Sequence, residues 1–319
     1  MVNIVSDPFF NEIRGAKREY MVRKKLTAFL EEPEIKMALN DCFAMPESKT
    51  RKPSIKFPAS IGVGVVFSEV GCAYDYWVRC WRVILNNLET SRIYDFKGIM
   101  YFFGKSQLAS DLLMDYRLTD LSGEYYSTLD RPHDADADEL LVRAGNYLAA
   151  IRNFVNLEPS TVDPSDETAI EALLFFAKFE CELRSGLPTL SFDAKAQNIS
   201  ELRGIMASSD YTWAHGNIIE LNPAFGLTGK NLAIGADGDL LIDGCLIELK
   251  TSGRIQLKKD IRQLLSYYIL NKLRDKSLYI DAVSVYYPRY DLYKRWSISD
   301  LMTPSQEERL RQYMKKWLG

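Results

Sequence analysis

Residues 235–252, GADGDLLIDGCLIELKTS, constrain the fold more than any other stretch of the chain. Two apolar runs, Leu240-Leu241-Ile242 and Cys245 to Leu249, flank Asp243-Gly244, a dipeptide able to adopt the positive φ angles of a two-residue hairpin turn. Strand side chains alternate, so Glu248 and Lys250 share one side while Cys245, Ile247 and Leu249 point into a core. Asp237 and Asp239 share a face on the incoming strand.

Carboxylates are hard oxygen ligands suited to Mg²⁺ or Mn²⁺, ions that keep several waters and also bind phosphate oxygens. An acid from each of two paired strands could hold such an ion between them. A lysine two residues past the second acid would lie where it can orient a water or stabilise negative charge growing on phosphate. The constellation suits phosphodiester hydrolysis.

These residues resemble the PD-(D/E)xK nuclease superfamily, whose signature is an Asp, a short hairpin, then (Asp/Glu)-x-Lys. Here Glu248-Leu249-Lys250 supplies the second half, and Asp239 or Asp237 the first. Asp239 is preferred because it directly precedes the apolar strand, as in RecB-like members; the proline of the nominal motif is absent. Downstream, Leu257, Ile261, Leu264, Leu265 and Tyr268 have the spacing of an amphipathic helix over 255–273, with Lys259, Gln263 and Tyr267 as a separate i, i+4, i+8 stripe. Gln263-x-x-x-Tyr267 is similar to the QxxxY element of the branch that holds RecB, lambda exonuclease and the CRISPR-associated exonucleases. The likeness spans about residues 215–300.

The resemblance implies an α/β (α+β) fold: a restriction-endonuclease-like mixed sheet flanked by helices, here over 161–319, behind a largely helical region at 1–160. It implies Asp239 and Glu248 as ligands of Mg²⁺ or Mn²⁺, Lys250 as the group beside the attacking water, and Gln263 and Tyr267 as a brace. It also implies an upstream acid from the first helix of that core, for which Glu171, Glu180 and Glu182 are candidates and Glu180 the choice.

A chain of 319 residues with 47% apolar content is long enough for a substantial core. The net charge of −3 gives no global pull toward nucleic acid, so such binding needs a local patch. One exists in the sequence. Between Lys250 and Ile298 there are eleven basic residues (Lys250, Arg254, Lys258, Lys259, Arg262, Lys272, Arg274, Lys276, Arg289, Lys294, Arg295) against four acids (Asp260, Asp275, Asp281, Asp291), an excess of +7. Arg289 is read as a turn residue that could also face a phosphate. The five cysteines, at 42, 72, 80, 181 and 245, are scattered, so neither a disulfide framework, a zinc site nor an iron–sulfur cluster is expected. No targeting signal or spanning run is present, which predicts a cytoplasmic protein with no membrane partner.

The remaining chain reads as helices with loops between them. Residues 1–40 look helical, with a basic set at Arg14, Lys17, Arg18, Arg23, Lys24 and Lys25, and 45–60 reads as a proline-bearing loop. Helices are predicted over 67–88 with an aromatic core stripe, over 107–116, over 138–156 and over 163–185. His215 falls in a loop before a strand at 218–221. Strands follow at 282–287 and 292–298, and a capping box at Thr303 and Gln306 opens a last helix at Pro304. The expected activity is metal-dependent cleavage of DNA, in phage defence, repair or recombination. The alternatives are a non-catalytic nucleic-acid-binding or partner-guiding protein on the same fold and a nuclease acting on RNA. The helical half would serve a protein partner or a homo-oligomer.

Overall fold

The computed structural model describes residues 22–25, 30–42, 65–86, 137–157, 163, 165–185, 191–217, 219–228 and 232–319. The expected helix over 107–116 and the loop over 45–60 lie outside them. The described elements in chain order are β1 (Val22–Lys25), α1 (Pro33–Cys42), α2 (Val65–Asn86), α3 (Ala137–Val155), α4 (Glu167–Ser185), α5 (Ala196–Ser208), β2 (Ile219–Leu221), β3 (Leu227–Thr228), β4 (Leu232–Gly235), β5 (Leu240–Ile242), β6 (Cys245–Leu249), α6 (Leu257–Lys272), β7 (Ala282–Tyr287), β8 (Leu292–Ser297), α7 (Ile298–Leu301) and α8 (Pro304–Leu318).

Five strands form one mixed sheet in the order β2-β5-β6-β7-β8. Its centre is the hairpin, with Leu240 opposite Ile247 and Ile242 opposite Cys245. Asp243 (φ 45°) and Gly244 (φ 80°) both sit in the left-handed region, the conformation a tight two-residue turn demands. The ring of Tyr279 lies where a Gly244 Cβ would be, so glycine is required there twice over. β6 then pairs in parallel with β7, and the crossover between them is α6, as a parallel connection needs.

Both faces of this sheet are covered, which is why β5, β6 and β7 read as nearly continuous apolar runs rather than alternating ones. On one face Leu240, Ile242, Cys245 and Ile247 join a core built by α2, α3, α4 and α5. On the other, Leu241, Leu246, Val283 and Val285 meet α6 and α8. The side shared by Glu248 and Lys250 is therefore an interior too. Residues from both sides of position 160 contribute to the first core.

Three further expectations are revised. Residues 1–40 were expected to be helical, but Val22–Lys25 is a strand, paired in parallel with β4 in a second, three-stranded sheet ordered β1-β4-β3; the free edge of β4 offers a ladder that local helix propensity cannot match. The helix over 163–185 begins at Glu167, because the carboxylate of Asp166 accepts from Ala169 N–H at 3.0 Å and so caps it, while Asp163 instead accepts from Ser165. The amphipathic helix is buried nearly all round from Asp260 to Asn271, since α8 packs on it, with Tyr268 donating to Glu307 at 2.8 Å, and Arg262 reaches Asn40 on α1. The capping box at Thr303 and Gln306 is present as read.

Candidate active site

Register brings the two acids together. Leu240 opposes Ile247, so one step further along the hairpin Asp239 opposes Glu248, on the same face of the sheet. The Asp239 carboxylate continues the ladder past the end of β5, its Oδ2 accepting from Leu249 N–H at 2.7 Å. Asp237, the alternative first acid, is exposed and forms an isolated bridge with Ala224.

Glu248 is 4% exposed, and its two oxygens are treated very differently. Oε1 accepts from Lys250 Nζ at 2.6 Å and from Gln263 Nε2 at 2.8 Å. Oε2 is buried and has no hydrogen-bond partner among the described residues. Gln263 also accepts from Lys250 Nζ at 3.1 Å through Oε1, and its Nε2 donates to the Tyr267 hydroxyl at 2.7 Å. The amide thus has both ends committed, and the tyrosine ring is stacked on Phe225 with centroids 5.4 Å apart. Asp239, Glu248, Lys250, Gln263 and Tyr267, chosen from the sequence, form one connected cluster.

The electrostatics follow from too many acids in too little water. Burial, with the Glu248 and Asp75 charges behind it, pushes the Asp239 carboxyl well above its ordinary value, against the downward pull of Lys250 and the Leu249 N–H. Burial raises Glu248 as well, although Lys250 beside it pulls the other way. For Lys250, burial acts to lower the ammonium, but Glu248, Asp239 and Asp260 outweigh it and the net shift is upward. Tyr267 is also pushed well up, by burial first and then by Glu248.

Two acids beside this cluster were not among the site residues chosen from the sequence. Asp260 lies three residues before Gln263, buried, and accepts from Tyr287 at 2.5 Å. Tyr287 follows Tyr286, the partner of Leu249, so it stands beside Lys250. The inward stripe of α6 is thus Asp260, Gln263 and Tyr267, at i, i+3 and i+7, and Lys259 is exposed. Asp75 is the second. It comes from α2, where Arg79 binds one oxygen at 2.9 Å and Oδ1 is buried without a hydrogen-bond partner among the described residues. The signal for it was a lone acid inside the aromatic stripe Tyr74, Tyr76, Trp77. Glu180 accepts from the Tyr76 hydroxyl on α2, and the Glu182 side chain lies outside the described residues. Glu171 is partly buried on α4 and His215 is exposed.

No group of three or more His, Cys, Asp or Glu side chains among the described residues is arranged to hold a metal ion. The pair Asp239 and Glu248 nevertheless fits a small hard cation. Both are oxygen donors, burial disfavours the charged form of each, the Glu248 charge adds to this at Asp239, and Glu248 Oε2 is a buried acceptor that no group among the described residues satisfies, a state that costs about 1–3 kcal/mol. The chain matches no family model, no curated protein and no solved structure. Among the described residues no helix is long and apolar enough to cross a membrane.

Proposed function

We propose that the chain is a Mg²⁺- or Mn²⁺-dependent nuclease acting on DNA, with a restriction-endonuclease-like core. The observation that carries this reading is the division of labour at Glu248: one oxygen saturated by Lys250 and Gln263, the other buried, bare and paired across the hairpin with Asp239. The order of elements supports it as well, since helices lead into the antiparallel set β2-β5-β6 and α6 carries the chain over to the parallel β7.

Asp239 and Glu248 would hold the cation, whose chemistry when bound is to polarise a phosphate oxygen and sharpen the acidity of a water. Lys250 stays protonated, because the surrounding carboxylates hold its proton, so it acts as a fixed positive charge toward the negative charge that grows on phosphate rather than as a base. Gln263 keeps the ammonium and the Glu248 carboxylate in register, and Tyr267 fixes the amide. The segment leaving the site carries Arg254, Lys258 and Lys259, all exposed, toward the start of α6, a run that can neutralise backbone phosphates.

The test is cleavage of linear, circular and single-stranded DNA with Mg²⁺, Mn²⁺ or EDTA, comparing the wild type with Lys250→Ala. Metal-dependent cleavage that the substitution removes is the expected result, and survival of circular DNA would mark an exonuclease. A folded chain that binds Mn²⁺ but cuts none of these substrates would favour the non-catalytic reading, in which the Glu248–Lys250 pair is structural.

A further inference from the structure

Lys250 is the first residue beyond the end of β6, where the ladder no longer holds the backbone on both sides. What holds it is the corner between β7 and β8, a single 3-10 turn at Pro288–Tyr290. Beyond the bond from Lys250 N–H to Tyr286 O on β7 at 2.9 Å, two bonds join this corner to the chain leaving the site: Arg289 Nε donates to Thr251 O, and the Tyr290 hydroxyl donates to Gly253 O at 2.6 Å.

Arg289 is 0% exposed, so it cannot meet a phosphate as the sequence allowed. Its Nη2 donates to Glu201 on α5, itself buried. A guanidinium is suited to this double task, because its planar fork presents Nε and Nη2 to two acceptors at once, one a carbonyl and one a carboxylate, while a lysine offers one point charge. The corner is pinned in turn. Asp291 takes a left-handed conformation (φ 47°), and its Oδ1 accepts from Asp210 N–H at 2.9 Å and from the Tyr286 hydroxyl at 3.0 Å. On the opposite side of Thr251 stands α2, where a Cβ at Gly71 would come within 2.7 Å of Thr251 Oγ1. Thr251 is thus gripped at its carbonyl and blocked at its side chain.

We propose that Arg289 is a positioning residue: anchored on Glu201, it fixes the Thr251 carbonyl and thereby sets where Lys250 delivers its charge. This rests on the nuclease reading. A site that works by orientation loses about 10²-fold when a group shifts by an ångström, so a loosened grip should appear in turnover rather than in substrate affinity.

The experiment compares full-length wild type, Arg289→Lys and Gly71→Ala, measuring kcat and KM for linear DNA with Mn²⁺, thermal melting, and amide hydrogen exchange of the peptide covering 249–254. Arg289→Lys should fold, exchange faster in that peptide, and lose about 10²-fold in kcat with KM unchanged. Gly71→Ala pushes Thr251 from the other side without touching the ion pair, so it should lower kcat as well, and adding Thr251→Ala should restore it. Unchanged exchange, unchanged kcat, or a loss confined to KM in Arg289→Lys would overturn the proposal. Should that variant fail to fold, failure of Thr251→Ala to rescue Gly71→Ala would do the same. If the wild type itself cuts no DNA, the nuclease reading fails and positioning for catalysis fails with it, while the exchange data still decide whether the corner grips Thr251.

Discussion

Two lysines, Lys178 buried and Lys250 partly buried, one under each layer of helices, move in opposite directions. Lys178 on α4 is 2% exposed and donates to the carbonyls of Ser191 (2.8 Å) and Asp193 (2.9 Å), with Glu69 at 4.0 Å. Burial wins there and its ammonium is pushed down, although Glu69 pulls it up. Lys250, at the end of β6, meets three carboxylates, and their charge overcomes burial. The first lysine ties a loop to a helix through neutral dipoles. The second sits in a cluster with more acid than base, which a protein interior tolerates poorly unless something cationic is to arrive. Burial alone therefore does not set the direction in which a lysine is pushed, whereas the balance of charge around it does.

The sharpest way to break this comparison is to remove each ammonium in turn. Lys250→Met should lower DNA cleavage by about 10³-fold, the scale of losing one positioned donor to a developing charge, and Lys178→Met should leave kcat unchanged. Equal losses in steady-state assays would erase the distinction.

Next in size is an effect on stability that runs against intuition. The Asp239 carboxyl has a folded-state pKa above its unfolded value, so between the two the native state binds more protons and stability falls as pH rises. Asp239→Asn should therefore abolish cleavage yet melt higher than the wild type at neutral pH without metal. A melting series from mildly acidic to neutral pH checks this: the wild type should lose stability over that interval more steeply than the variant, and Mn²⁺ should raise only the wild type.

Lys178→Met, by contrast, leaves two carbonyls without their donor and should cost about 2–3 kcal/mol of stability, read in a denaturant titration. Smallest is Thr303→Ala, which removes the cap of α8 outside α6 and should cost about 1 kcal/mol with cleavage intact.

The legible part of the site was the part built from short-range patterns. The hairpin was readable because apolar runs and Asp243-Gly244 specify register, and register alone places Asp239 opposite Glu248. The Gln263 and Tyr267 pair was readable from helical spacing. Asp260 was hidden by a choice between neighbouring stripes on a helix that turned out to be buried on nearly every side, so that amphipathicity could not rank Lys259 against it. Asp75 and Gly71 were hidden for another reason: nothing local in α2 records that it crosses the hairpin some 170 residues further along the chain. Glu180 was chosen as an acid on the expected core helix, and in the fold its carboxylate accepts from Tyr76 on α2.

The margins of the five-stranded sheet carry one more consequence. β2 is only three residues long, and β8 closes the other side with Lys294 and Arg295 in its middle. A strand at a margin presents unpaired amides and carbonyls to any other strand that drifts past, and short length or charge is how such an invitation is withdrawn. Two of the eleven basic residues read as a phosphate track, Lys294 and Arg295, thus lie on a marginal strand, where charge disfavours side-by-side pairing between copies of the chain.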